Sequence, residues 1–129
     1  CLAENSIRDW QRHSAQATPG KNFLDSGALG PWIVTPDEAG DPRRMQIVGR
    51  LNGEVLQQDT ISEMIFSIPE IIAYITSFTV LRPGDVIATG TPAGVGLGKK
   101  PPLWMKDGDV FEVDISSIGV LRNKVRREA

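Results

Sequence analysis

The sequence predicts a mainly β fold with short helices, of the α+β class, as a single domain over residues 1–129. Three observations carry that prediction. Met45–Leu51 and Glu54–Gln58 are β-prone runs separated only by Asn52-Gly53, the pair favoured in a two-residue type I′ hairpin turn. Val110–Ile115 and Gly119–Val125 make a second pair of such runs. Between the pairs, Thr60-Ile61-Ser62-Glu63 and Ser67-Ile68-Pro69-Glu70 are successive capping boxes, in which a hydroxyl and a carboxylate satisfy orphan backbone donors reciprocally.

The remaining elements follow in order. Residues 1–31 are polar and irregular. Pro31–Thr35 reads as a short β segment, stopped by the turn-like Pro36-Asp37-Glu38-Ala39-Gly40. The capping boxes predict abutting helices over 61–66 and 68–78. Ile65, Ile68, Ile72, Ile75 and Phe78 recur at helical spacing and are expected to face the core. Leu81-Arg82-Pro83-Gly84-Asp85-Val86 and Met105-Lys106-Asp107-Gly108-Asp109-Val110 read as two tight turns, each feeding a strand, with an aspartate bonding the turn backbone. The first of these strands is expected over Val86–Thr89.

Composition narrows the function classes. The chain is 40% hydrophobic and 23% charged with a net charge of −2. No basic excess points to nucleic acid, and no long apolar run points to a membrane span. The basic residues Arg122, Lys124, Arg126 and Arg127 read as a solvated terminus. The single cysteine, Cys1, excludes an internal disulfide framework and fits a reducing, cytoplasmic setting. It lacks any evident tie to the sole histidine, His13, which reads as a surface residue. Trp10, Trp32 and Trp104 read as core or interface anchors. With no initiating Met, the chain is expected to be part of a longer polypeptide.

The segment from Gly84 to Gly96 carries the clearest sign of a binding site. A turn leads into apolar residues and then a loop rich in Gly and Thr, where N–H and hydroxyl groups can grip a small polar or anionic ligand. The phosphate-binding fingerprints fail. A Walker loop ending at Gly98-Lys99 would need glycine at Ala93 and Ser or Thr at Lys100. A dinucleotide fingerprint starting at Gly94 would need glycine at Lys99 and a helix where Pro101 and Pro102 stand. The residues alone leave a set of structural turns as the other reading.

A second candidate cluster lies near the start. If residues 4–8 are extended, Glu4, Ser6 and Arg8 share a face. Glu4 can ligate a hard divalent cation and Arg8 can bind a carboxylate bidentately, or the two can form a surface ion pair. Lys21, in the turn Pro19-Gly20-Lys21-Asn22-Phe23, can stabilise enolate charge or, if partly buried, transfer a proton; the alternative is a solubilising surface lysine.

In order, Glu4-x-Ser6-x-Arg8-Asp9-x-Gln11, Gly20-Lys21-x-Phe23, Leu29-Gly30-Pro31-Trp32, Asn52-Gly53-Glu54 with Gln57, Leu81-x-Pro83-Gly84-Asp85-Val86-Ile87-x-Thr89-Gly90-Thr91-Pro92-x-Gly94-Val95-Gly96, Gly108-Asp109 and Gly119-x-Leu121-x-Asn123 resemble the fumarylacetoacetate hydrolase family. The resemblance is strongest to its bacterial aromatic-catabolism branch, which includes 5-carboxymethyl-2-hydroxymuconate and 2-hydroxyhepta-2,4-diene-1,7-dioate isomerases. It implies a mixed β-sandwich or roll, a homodimer, and a hydrolase or isomerase of small 2-oxo or β-diketo acids. It also implies one Mg²⁺ or Mn²⁺, or Ca²⁺, held by three carboxylates, with turnover through a metal-stabilised enolate. By position, Glu4 matches a metal ligand, Lys21 the catalytic lysine, Arg8 and Gln11 the substrate-contacting pair, and Thr89, Gly90 and Thr91 the substrate-carboxylate loop. Aspartate is usual where Glu4 stands, and the family's other two metal carboxylates are expected upstream of Cys1. Decarboxylation and a non-catalytic, oxo-acid-binding or merely dimerising domain are the alternative outcomes.

Overall fold

The computed structural model describes residues 1–127. Its elements in chain order are β1 (Leu2–Glu4), α1 (Arg8–Gln11), β2 (Gly27–Leu29), α2 (Pro36–Ala39), β3 (Gln46–Leu51), β4 (Glu54–Thr60), α3 (Ile68–Thr76), β5 (Val110–Ile115) and β6 (Gly119–Lys124), with short 3₁₀ turns between them. The fold is therefore mainly β with short helices. A four-stranded antiparallel sheet has the order β4-β3-β5-β6, and β1 and β2 form a separate antiparallel pair.

The Asn52-Gly53 hairpin forms as its chemistry requires. Asn52 and Gly53 have φ of 52° and 83°, the left-handed values of a type I′ turn. The Asn52 side chain also ties the hairpin to the next one. Its Nδ2 donates to Asp109 Oδ1 at 2.9 Å, and its Oδ1 accepts from the Val110 N–H at 2.8 Å.

Strand alternation then sorts the large sheet into two faces. Ala3, Val113 and Leu121 are buried together, with Cys1, Ala28, Ile47, Phe111 and Ile115 packed around them, so the small sheet lies over β5 and β6. The opposite face carries the ion pairs Arg50–Asp114 at 2.9 Å and Arg122–Glu112 at 3.5 Å. Such partly exposed pairs contribute at most about 1 kcal/mol each, whereas truncating a buried leucine such as Leu121 costs about 2–5 kcal/mol. The apolar face holds the layers together.

Several sequence expectations are corrected. Two three-residue strands lie inside the segment read as irregular; they hold because they pair with each other, Leu2 opposite Leu29 and Glu4 opposite Gly27. Pro31–Thr35 joins no ladder; it is anchored by Trp32, whose Nε1 donates to the Ile118 carbonyl at 2.7 Å. Val86–Thr89 is likewise not a strand. The turn before it does form, with Asp85 accepting from the Arg82 N–H at 2.8 Å, as Asp109 accepts from Lys106 at 2.7 Å. Only the second turn feeds a ladder.

The first capping box does not close, because the Thr60 hydroxyl bonds Ser62 Oγ, and only a 3₁₀ turn (Ile61–Glu63) results. The second closes in full and starts α3. That helix contains no buried residue, so its isoleucine stripe does not face a core: Ile65, Ile72 and Phe78 are exposed, and Ile68 and Ile75 only half-buried. The tryptophans are also not core residues, since all three are exposed; Trp10 packs against His13 in a tilted arrangement and against Phe23 edge to face, at centroid distances of 4.6 and 5.5 Å. No helix among the described residues is long and apolar enough to cross a membrane.

Candidate functional site

A cleft of about 920 Å³ opens on the apolar side of the large sheet. Phe111, Val113 and Ile115 of β5 and Ile47 of β3 form its floor; β1 and the segment to Asp9 form one wall; Val86–Pro92 forms the other. Glu4, Arg8, Lys21, Thr89, Gly90 and Thr91 all border this one space. An apolar floor with a few polar groups on the walls is the usual make-up of a small-molecule site.

Backbone proximity sets the first wall. The Ile7 N–H donates to the Gly20 carbonyl at 2.9 Å, and a Cβ on Gly20 would fall 2.8 Å from the Ile7 carbonyl oxygen. Glycine is thus needed for the turn to approach, and the approach brings Lys21 to Glu4. Lys21 Nζ lies 3.1 Å from Glu4 Oε2 and 3.4 Å from the Glu4 backbone carbonyl. The lysine side chain is 24% exposed and the glutamate 54%, so Lys21 is not an ordinary surface lysine. Arg8 is not in extended chain with Glu4, because it opens α1, and the Glu4–Arg8 pair does not form. Its guanidinium instead donates to Gln11 Oε1. Gln11 lies behind Arg8, beside a smaller depression with Asp9, Arg12, Leu97 and Trp104, and not on the main cleft.

The second wall is tied to the sheet edge by groups to which the sequence had given no role. Gln57 Nε2 donates to Thr91 Oγ1 at 2.7 Å and to the Pro92 carbonyl at 2.6 Å. Gly94 has φ of 105°, and a Cβ there would sit 2.1 Å from the Leu56 carbonyl oxygen. The glycine that suggested close approach to a ligand is used here for close approach to strand β4. Gln57 stood in the family pattern without a role; it lies on the edge strand β4 and comes opposite Gly49 only through a register shift in the hairpin, which no local sequence signal announces.

No group of three His, Cys, Asp or Glu side chains among the described residues could hold a metal ion. Glu4 offers a single carboxylate that already faces Lys21, whereas hard cations take about six or more oxygen ligands. The residues of this chain do not by themselves fit the ion.

Comparison with known proteins places this geometry in context. The family described as Fumarylacetoacetate (FAA) hydrolase C-terminal matches residues 1–126. Oxaloacetate tautomerase FAHD2A, mitochondrial, from Bos taurus is 44% identical over 122 residues, which cover 93% of this chain and 39% of that protein. Among solved structures, the fumarylacetoacetate hydrolase of Exiguobacterium antarcticum superposes with a TM-score of 0.90 at 41% identity, covering 95% of this chain and 44% of its own. The 5-carboxymethyl-2-hydroxymuconate delta-isomerase of Mycobacterium smegmatis superposes with a TM-score of 0.84 at 36% identity, covering 96% and 45%. The chain thus spans about two fifths of the length of the curated relatives it matches.

Proposed function

Because this chain belongs to the fumarylacetoacetate hydrolase family, we propose that it forms the carboxylate-gripping part of an enzyme acting on small 2-oxo or β-diketo acids through an enolate. The observation that carries the reading is the meeting of Glu4, Lys21 and Arg8 with the Thr89–Thr91 loop across one cleft with an apolar floor. Relatives named as a tautomerase, a hydrolase and an isomerase share an acid of this class as the natural common denominator.

In this proposal the Arg8 guanidinium and the loop's N–H and hydroxyl groups bind the substrate carboxylates. They fix the carbon that loses a proton next to Lys21. The carbon's proton passes to the Lys21 amine; the resulting ammonium stabilises the developing enolate oxygen and then returns the proton. Glu4 holds Nζ in place from the other side. Proton return gives isomerisation or tautomerisation; attack by water at a β-carbonyl gives C–C hydrolysis; loss of CO₂ gives decarboxylation. We favour isomerase or hydrolase chemistry on an aromatic-degradation intermediate, in a cytoplasmic homodimer. Mg²⁺ or Mn²⁺, or Ca²⁺, belongs to the proposal only with carboxylates from outside this chain, Glu4 supplying one.

The second reading is that residues 1–129 alone bind an oxo acid without turnover, and it is favoured by the lack, among the described residues, of three side chains grouped to hold a metal ion. Enol–keto conversion of oxaloacetate, followed by loss of enol absorbance with Mg²⁺ present, tests both. The complete polypeptide is expected to accelerate it, and Lys21→Met to lose about 100-fold or more. Equal rates in the unsubstituted protein and Lys21→Met would remove the lysine from the chemistry; turnover by residues 1–129 alone would overturn the second reading.

A further inference from the structure

We propose that a β-bulge at Leu56 and the amide of Gln57 form a latch that fixes the Thr89–Thr91 loop and sets the direction of the Thr91 hydroxyl. This makes Gln57 a positioning residue, and its role in ligand binding rests on the oxo-acid reading above.

The latch begins in the register of the hairpin. Gly49 pairs with Gln57, but Arg50 pairs with Val55, so Leu56 is left without a partner on β3. Such a bulge bends an edge strand and re-aims its side chains. Here it does so twice over. The Leu56 carbonyl meets the backbone at Gly94, where a Cβ would overlap it. Gln57 reaches the loop across open space that Gly49 leaves: a Cβ on Gly49 would stand 3.3 Å from Gln57 Oε1 and 3.4 Å from its Cβ. The edge strand therefore engages the loop through one bulged carbonyl and one side chain, where a backbone ladder would otherwise run.

The hydrogen-bond chemistry fixes polarity. A carbonyl oxygen can only accept, so the Gln57 group 2.6 Å from the Pro92 carbonyl must be the NH₂ end. Its other N–H then points to Thr91 Oγ1, 2.7 Å away, which accepts. With that lone pair occupied, the Thr91 O–H is free to donate, and the ligand it suits is an anion such as a carboxylate. A glutamate at 57 would reverse this. It would accept the Thr91 proton and turn an oxygen towards the Pro92 carbonyl.

The test uses the complete polypeptide with Gln57→Glu, Gln57→Leu, Thr91→Val and Thr91→Ser. Hydrogen exchange over residues 86–96 reads the latch without turnover. Gln57→Glu and Gln57→Leu are expected to speed exchange there about 10-fold or more, the loss of roughly one to two hydrogen bonds, with little change in β5 and β6. Thr91→Ser is expected to keep the protection that Thr91→Val loses. With oxaloacetate, KM is expected to rise about 10-fold in Gln57→Glu while kcat changes less, and Gln57→Leu combined with Thr91→Val to be less than additive. Unchanged exchange in Gln57→Glu would overturn the latch. Faster exchange in a protein that neither binds nor converts oxaloacetate would leave the latch standing and overturn the oxo-acid reading.

Discussion

Replacing Gly94 by alanine separates close packing of the loop from its backbone shape. Two costs arise at this position. Alanine at φ of 105° carries strain of about 1–3 kcal/mol. Its Cβ would also fall 2.1 Å from the Leu56 carbonyl oxygen, where an ordinary carbon–oxygen contact is about 3.3 Å, so the loop must withdraw by roughly 1 Å. Displacements of about 1 Å can cost roughly 100-fold in rate when they move a group that positions substrate. Gly84→Ala is the control, because Gly84 has a similar φ of 98° with nothing within 4 Å of its Cβ. The expected result is a drop of about 100-fold in kcat/KM for oxaloacetate in Gly94→Ala, with faster hydrogen exchange over residues 86–96. Gly84→Ala should show strain alone. The loop can relieve the overlap by detaching, so the thermal midpoint should fall less than the local protection. Equal effects from the two substitutions would refute the claim that contact with Leu56 holds the loop.

Other consequences are narrower. The Asn52 amide and the Lys106 N–H hold the Asp109 carboxyl below the usual carboxylate range. With the folded pKa depressed, this contribution is complete at neutral pH and is lost as pH falls below about 4 and through the depressed value. Asp109→Asn should therefore lower the urea midpoint at pH 7 and narrow its gap to the parent protein towards pH 3; a constant gap would contradict the assignment. Ser67→Ala removes the N-terminal cap of α3 and should cost about 1 kcal/mol. As α3 has no buried residue, the loss should be seen in helix exchange before it is seen in cooperative unfolding. Arg8→Ala should raise KM for a dicarboxylate by about 10–100-fold, the range of one charged hydrogen bond, whereas Gln11→Ala, acting only through Arg8, should raise it several-fold less. Equal effects would place Gln11 on the substrate.

Asn52-Gly53 announced its hairpin because few residues tolerate two successive left-handed conformations. Ser67 and Glu70 announced a helix start because both partners of the cap are local in sequence. Glu4, Lys21 and the Thr-Gly loop were legible as pieces through the family pattern, yet the Glu4–Lys21 contact depends on a turn that closes only because Gly20 fits against Ile7. Periodicity gave the isoleucine stripe of α3 but not what it faces, since burial depends on layers that spacing cannot see. Val86–Thr89 has the composition of a strand but not the pairing: Gln57 and the Leu56 bulge meet the segment beyond it by side chain and carbonyl, and neither is announced by local propensity.

In the proposed function, both walls of the cleft hold the same small oxo acid. Hydrogen exchange of the complete polypeptide, with and without saturating oxaloacetate and Mg²⁺, measures it most directly. Simultaneous protection is expected for residues 4–9 with Lys21 on one side and residues 88–92 on the other, lost from both in Arg8→Ala. Protection confined to one wall, or appearing on the face that carries Arg50 and Asp114, would contradict it.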